Sequence, residues 1–145
     1  SIRHIDISLD NTVAIAMQSQ GDPYVYPPLI AIQQGEGPIK TLIAPSDVQN
    51  RLRNYCGSVA FSHDSKMFAV SSPRGGLATY WSAKGSYLGL HNQTDACGVS
   101  DSTDDQSKFL ISDGSGAIMQ IENEFKSTVY YKSNNWRWDN HMLVL

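Results

Sequence analysis

The sequence is short of cysteine, of net charge and of long apolar runs, and each shortage closes off a class of protein. Its two cysteines, Cys56 and Cys97, stand 41 positions apart with no partner at CxxC spacing, so neither a zinc site nor a disulfide framework is expected. A formal charge of -3 leaves no basic stripe for a phosphate backbone, and no nucleic-acid partner is expected. No apolar run approaches the roughly 20 residues that cross a bilayer, so no membrane insertion is expected. No charged-then-apolar leader opens the chain. It begins at Ser1 in place of Met, as a processed product or a fragment does, so the compartment cannot be read there. His63, His91 and His141 are dispersed with no HxH or HExxH pairing, and no serine sits in a GxSxG elbow. Neither a metal site nor a cofactor is therefore expected. Against these shortages, 41% hydrophobic and 17% charged residues describe one folded domain with a sizeable core.

The best defined stretch is 56–83, CGSVAFSHDSKMFAVSSPRGGLATYWSA. Val59 and Phe61 alternate with small residues over 58–62 before His63-Asp64-Ser65-Lys66 breaks the run. An apolar strand over 67–70 ends in Ser71-Ser72-Pro73-Arg74-Gly75-Gly76, and strands at 77–81 and 87–90 flank the Lys84-Gly85-Ser86 turn. Four short antiparallel strands at hairpin spacing make one blade of a β-propeller.

A propeller must repeat, and a shift of 41 positions shows the repeat. It lays Cys56-Gly57-Ser58 on Cys97-Gly98-Val99, and Phe68-Ala69-Val70-Ser71 on Phe109-Leu110-Ile111-Ser112. The third unit is therefore expected at 97–102, 108–112, 117–122 and 127–131. The first unit follows the same grammar with longer loops: strands at 4–9, 12–18, 29–33 and 39–43, with Asp10 under Asp64. A Gly-, Pro- and Tyr-rich loop fills 19–28. A short surface helix is expected within 45–54, with Ser46 as N-cap and Val48 and Leu52 on one face. A fourth unit starts at 135–138 and 142–145. The expected fold is all-β: a β-propeller with blades at 1–44, 56–91 and 97–132 and a half-blade at 135–145. Three and a half blades cannot close a ring, and near-continuous apolar strands need a neighbour on each face. The expected complement is a missing N-terminal half, a second chain, or an oligomer that closes the ring.

Strand polarity sorts the unusual residues onto two rims. The 19–28 loop, the 45–55 insertion, 72–76, 113–116 and 133–136 fall on one, together with Arg3, His4, Cys56 and Cys97 at the starts of inner strands. Short turns fall on the other, at 10–11, 63–65, 103–107 and 139–140. Long loops on a rigid scaffold are where binding resides, so the ligand-binding candidates are Arg3, His4, Asp6, Arg74 and Asp113. Arg3, His4 and Asp6 could line the channel and grip an anion or a metal-bound ligand, or Asp6 could cap a neighbouring loop through backbone amides. Arg74 could face a carboxylate or phosphate, or its glycines could serve the turn alone. Asp113-Gly114-Ser115-Gly116 lacks the following helix of a phosphate loop and reads as a hairpin turn. Cys56 and Cys97, at matching blade positions, are expected as buried free thiols.

The segments RHIDIS at 3–8, TVAIAMQ at 12–18, PPLIAI at 27–32, YCGSVA at 55–60, SSPRGG at 71–76, ACGV at 96–99, SDG at 112–114 and WDNHM at 138–142 resemble the C-terminal half of the DUF1513 family. These are bacterial proteins of uncharacterised function with a WD40-like or YVTN-like propeller. The resemblance implies a seven-bladed ring about twice this length, export to the periplasm behind a twin-arginine signal, and an association with iron-uptake proteins. It carries no catalytic role to transfer. The functional expectation is a non-enzymatic binding module for a protein partner or small ligand at the long-loop rim. The alternative is a quinoprotein-like or metal-dependent enzyme with its site in the central channel.

Overall fold

The computed structural model describes residues 1–102, 109–139 and 141–142, and its strands pair into three four-stranded antiparallel sheets. The first holds β1 (Ile2–Ile7), β2 (Thr12–Met17), β3 (Ile30–Gln34) and β4 (Lys40–Leu42), followed by α1 (Ser46–Arg51). The second holds β5 (Val59–Phe61), β6 (Met67–Ser72), β7 (Leu77–Ser82) and β8 (Tyr87–Asn92). The third holds β9 (Ala96–Asp101), β10 (Phe109–Asp113), β11 (Ala117–Ile121) and β12 (Ser127–Lys132), with a 3-10 turn at Asn123–Phe125. Within each sheet the strands lie in chain order, and β1, β5 and β9 stand side by side as inner strands. This is the expected propeller arrangement.

The core lies between sheets. Alternation along β6 sends Phe68 and Val70 toward the first sheet, where they meet Ala14, Ala16, Ile30 and Ile32 under Val48 and Leu52. Ala69 faces the other way and, with Ala60 and Ala78, offers a shallow surface that Phe109, Ile111 and Ile121 of the third sheet fill. Small residues on this face make room for the large ones opposite, and consecutive sheets interlock at close-packed density. Phe68, Tyr80 and Trp81 are almost wholly buried, which is why the middle blade reads as continuously apolar. Phe125 stacks on Tyr80 at 4.1 Å, and the bare Cα of Gly89 leaves room for its ring.

Several boundaries differ from expectation for local reasons. The first strand ends at Ile7 because the Ser8 hydroxyl pairs with the Asp10 carboxylate and accepts the Thr12 amide, closing the turn early. Helix α1 forms, with Val48 and Leu52 buried, but Pro45 occupies the N-cap and Ser46 makes no cap bond. Residues 135–138 form no strand; the Ser133 hydroxyl instead accepts the amides of Asn135 and Trp136 and turns the backbone away. The strand expected at 142–145 and the turn at 103–107 lie mostly or wholly outside the described residues. Cys56 and Cys97 are not at matching positions. Val59 pairs with Val70, whereas Val99 pairs with Ile111, so the inner strand repeats one residue earlier than its neighbours. The cause is a connection one residue longer between β9 and β10. Both cysteines are buried and free.

His91 gives the fold a pH dependence. Its Nδ1 lies 2.9 Å from the Tyr80 hydroxyl and its Nε2 is buried, so a charged ring would lose its hydration. Burial pulls its pKa below the ordinary 6.5, with the Gln93 side chain opposing. The unfolded chain therefore takes up the proton first, and stability present above about pH 6.5 is lost as the pH falls below it. Urea midpoints measured from about pH 7.5 down to about pH 5 should drop for the wild type, and His91→Gln should remove part of that slope, the rest belonging to His4, whose pKa is lowered too. Parallel slopes would show that His91 does not carry the effect.

Candidate functional site

Inner strands of neighbouring blades do not ladder with one another, so their facing amides need side-chain acceptors. Asp6 and His4 supply them. Asp6 Oδ2 accepts the Phe61 amide of β5 at 2.7 Å, and Oδ1 accepts the Ile7 amide. His4 Nδ1 lies 3.1 Å from both the Val59 amide and Ser58 Oγ, while Ser58 Oγ accepts the Val99 amide at 3.1 Å. The Ser58 hydroxyl thus links all three blades, from Val99 to His4. Burial lowers the His4 pKa, the neighbouring His141 lowers it further and Asp6 opposes, which keeps Nδ1 available as an acceptor. The His141 ring meets His4 edge-on at 5.1 Å. Asp113 is similarly engaged. Its Oδ1 accepts from the Ser115 amide, the Ser115 hydroxyl and the Ala117 amide, which closes the β10–β11 turn.

Arg3 and Arg74 come together elsewhere. Their guanidinium carbons sit 5.5 Å and 4.8 Å from the centre of the Tyr55 ring, within cation–π range. Arg3 starts at the inner strand β1. Arg74 rides the β6–β7 turn, whose Gly75 packs against the Arg51 carbonyl where a Cβ would collide. Tyr55 ends the insertion that carries α1, and Ser72 Oγ donates to its carbonyl at 2.7 Å. Together they border a cavity of about 580 Å³ on the long-loop rim, completed by Gln18, Gln20, Pro73, Asp95, Cys97, Trp138 and Asp139. A second cavity of about 450 Å³ adjoins it, sharing Arg74 and Gln20 and adding Arg53, Asn54 and Tyr26. Of the residues singled out from sequence, Arg3 and Arg74 meet here, while His4, Asp6 and Asp113 bind backbone or neighbouring blades. Tyr55, Gln20 and Arg53 had no distinguishing pattern in the sequence; only the fold brings them together.

Cys97 borders the larger cavity but has no nucleophilic character. Burial, with the Asp95 carboxylate beside it, pushes its thiol up to about 12. Among the described residues, no three His, Cys, Asp or Glu side chains converge as a metal site. The opposite rim carries a cavity of about 540 Å³ between Leu9, Asp10, Asp64–Lys66 and Ser82–Lys84. Its carboxylates are engaged: Asp10 with Ser8, and Asp64 with Ser62 and Lys66.

Residues 1–145 match the family described as a protein of unknown function, DUF1513, and the chain belongs to that family. No curated protein matches it in sequence. Among solved structures it is similar to the RRP9 WD40 repeats, at 13% identity and a TM-score of 0.64, over 88% of this chain and 37% of that one. It is also similar to Kluyveromyces lactis Hsv2, at 12% identity and 0.57, over 82% of this chain and 36% of that one. Hsv2 of Kluyvelomyces marxianus matches at 15% identity and 0.58, over 98% of this chain and 45% of that one. At such identities the likeness is one of fold, that of a WD40 propeller. The chain spans less than half the length of each of these structures.

Two Asp6 variants and one Arg3 variant separate the inter-blade contact from the exposed rim. Asp6→Ala leaves the amide of Phe61, a buried residue, without an acceptor, and should cost about 1–3 kcal/mol in urea unfolding. Asp6→Asn, which keeps one acceptor oxygen, should recover part of that loss. Arg3→Ala, on an exposed strand, should stay within about 0.5 kcal/mol of wild type. An Asp6→Ala protein as stable as wild type would remove the inter-blade role.

Proposed function

We propose that this chain is part of a propeller that works as a binding module, with its ligand held at the long-loop rim beside the channel mouth. The observation that carries the reading is the pair Arg3 and Arg74, held over Tyr55 at the edge of a polar cavity. Guanidinium groups placed this way present donors to a carboxylate or phosphate while the aromatic ring limits their motion. The cavity volumes fall within the roughly 300–1,000 Å³ range of ligand pockets. The Cys97 thiol bordering the cavity is held protonated by burial and the Asp95 carboxylate, so it offers no ready nucleophile. The exported, iron-linked setting that the family resemblance implies would make the ligand or partner a periplasmic one.

Amide NMR spectra of the full chain, titrated with a panel of carboxylates, phosphates and peptides, should locate the site. Shifts should gather at Arg3, Gln20, Arg53, Tyr55 and Arg74, and should weaken at least about tenfold in Arg74→Ala, the loss of one charge-assisted contact. Lys84→Ala, on the opposite rim, should leave them unchanged. Shifts confined to Leu9, Ser65, Lys66 and Lys84 would move the site to the other rim.

A further inference from the structure

The arginines of this chain divide by what they touch. Arg51 donates to Asn92 Oδ1 at 2.6 Å and Arg137 to the Ser115 carbonyl at 2.9 Å, so both serve the scaffold. Arg3, Arg53 and Arg74 make no ion pair among the described residues, where the only pairs involve His63, Lys66 and Lys126. All three border the two adjoining cavities, and Arg74 borders both. Arg3 donates to the Tyr55 hydroxyl at 3.4 Å, and guanidinium groups without a carboxylate partner in neighbouring cavities suit a ligand with anionic groups at more than one point.

Two further features identify the kind of anion. Asp95 and Asp139 border the same cavity as Arg3 and Arg74, which lowers its positive potential and disfavours a dense polyanion. A polypeptide suits such mixed lining, because its carboxylates meet arginine while its N–H groups meet aspartate and glutamine. The 19–28 loop beside the smaller cavity also projects Tyr24 and Val25, 84% and 56% exposed, with Tyr26. That apolar tip does not move freely. Asn54 Nδ2 donates to the Val25 carbonyl at 2.9 Å and Gln49 Nε2 to the Pro27 carbonyl at 2.7 Å. Exposed tyrosines beside arginines, on a loop already ordered, have the composition of a protein-binding hot spot. A small inorganic anion would leave them uncovered.

We infer that the rim binds an acidic polypeptide segment: carboxylates at the Arg3–Arg74 and Arg53–Arg74 cavities, apolar side chains against Tyr24 and Tyr26. This rests on the rim reading above and names the class of its ligand. Selection of random dodecapeptides displayed on phage against the full chain tests it, with inorganic phosphate and tripolyphosphate as competitors. Enriched peptides should carry two or more acidic residues beside an apolar one. Each of Arg53→Ala and Arg74→Ala should weaken a synthetic selected peptide by about tenfold, Tyr24→Ser by less, and Lys84→Ala not at all. Arg74→Lys should recover only part of the loss, since lysine lacks the planar fork. Failure to enrich any peptide, or peptides without acidic residues, would overturn the inference. So would acidic peptides indifferent to both arginines. Tripolyphosphate binding more tightly than every selected peptide would reassign the cavities to small polyanions and leave the rim reading intact. Peptides that perturb only Leu9, Lys66 and Lys84 would sink both.

Discussion

A sheet that is apolar on both faces exists only between neighbours, and that constraint organises this chain. The middle blade meets it inside the molecule, with Phe68, Val70 and Trp81 against one sheet and Ala60, Ala69 and Tyr80 against the other. Hydrophobic burial holds the blades face to face but has no direction. Register between blades comes from the few polar atoms that cross the gap, at Asp6, His4 and Ser58. The outer blades leave large apolar groups in solvent: Ile5 and Ile7 on β1, Val129 and Tyr130 on β12. These have the character of the groups that the middle blade covers on both its faces.

Much of this was legible in the sequence because a repeat amplifies weak signals. A strand of three residues such as β5 would not stand out alone, yet the shift that brings Phe68 onto Phe109 also fixes its neighbours. What could not be read was anything decided by a single residue of phase. The extra residue between β9 and β10 breaks the apparent match of Cys56 with Cys97, since inner-strand pairing follows the ladder and not the motif. The strand expected at 135–138 failed for a related reason: a strand needs an edge to pair with, and the sequence pattern carries no information about whether one is present.

The site shows the same division. Arg74 between Pro73 and two glycines was conspicuous, and strand polarity alone put Arg3 on the same rim, where the two border one cavity. For Asp6 the sequence left a channel role and a backbone-capping role open; the structure takes the second, with the carboxylate on the Phe61 amide of the next blade. Tyr55 could not be singled out because a single tyrosine after an insertion carries no pattern. Only the fold brings strand β1, through Arg3, and the β6–β7 turn, through Arg74, onto its ring.

The two rims differ because their connections solve different problems. On the short-turn rim, Ser8 with Asp10 and Ser62 with Asp64 repeat one device, a serine hydroxyl and an aspartate two residues on that consume each other and the turn amides. Such turns are self-sufficient, so their polar groups have little left for a ligand. The long-loop rim cannot be closed this way, since its connections must travel between strands two and three or from one blade to the next. They are pinned instead by residues from other segments, with Gln49 and Asn54 holding the 19–28 loop and Ser72 holding Tyr55. Long-range pinning leaves gaps between the pinned segments. Cavities bordered by Arg3, Arg53 and Arg74 are those gaps, and the polarity of the propeller strands dictates that they all open on one side.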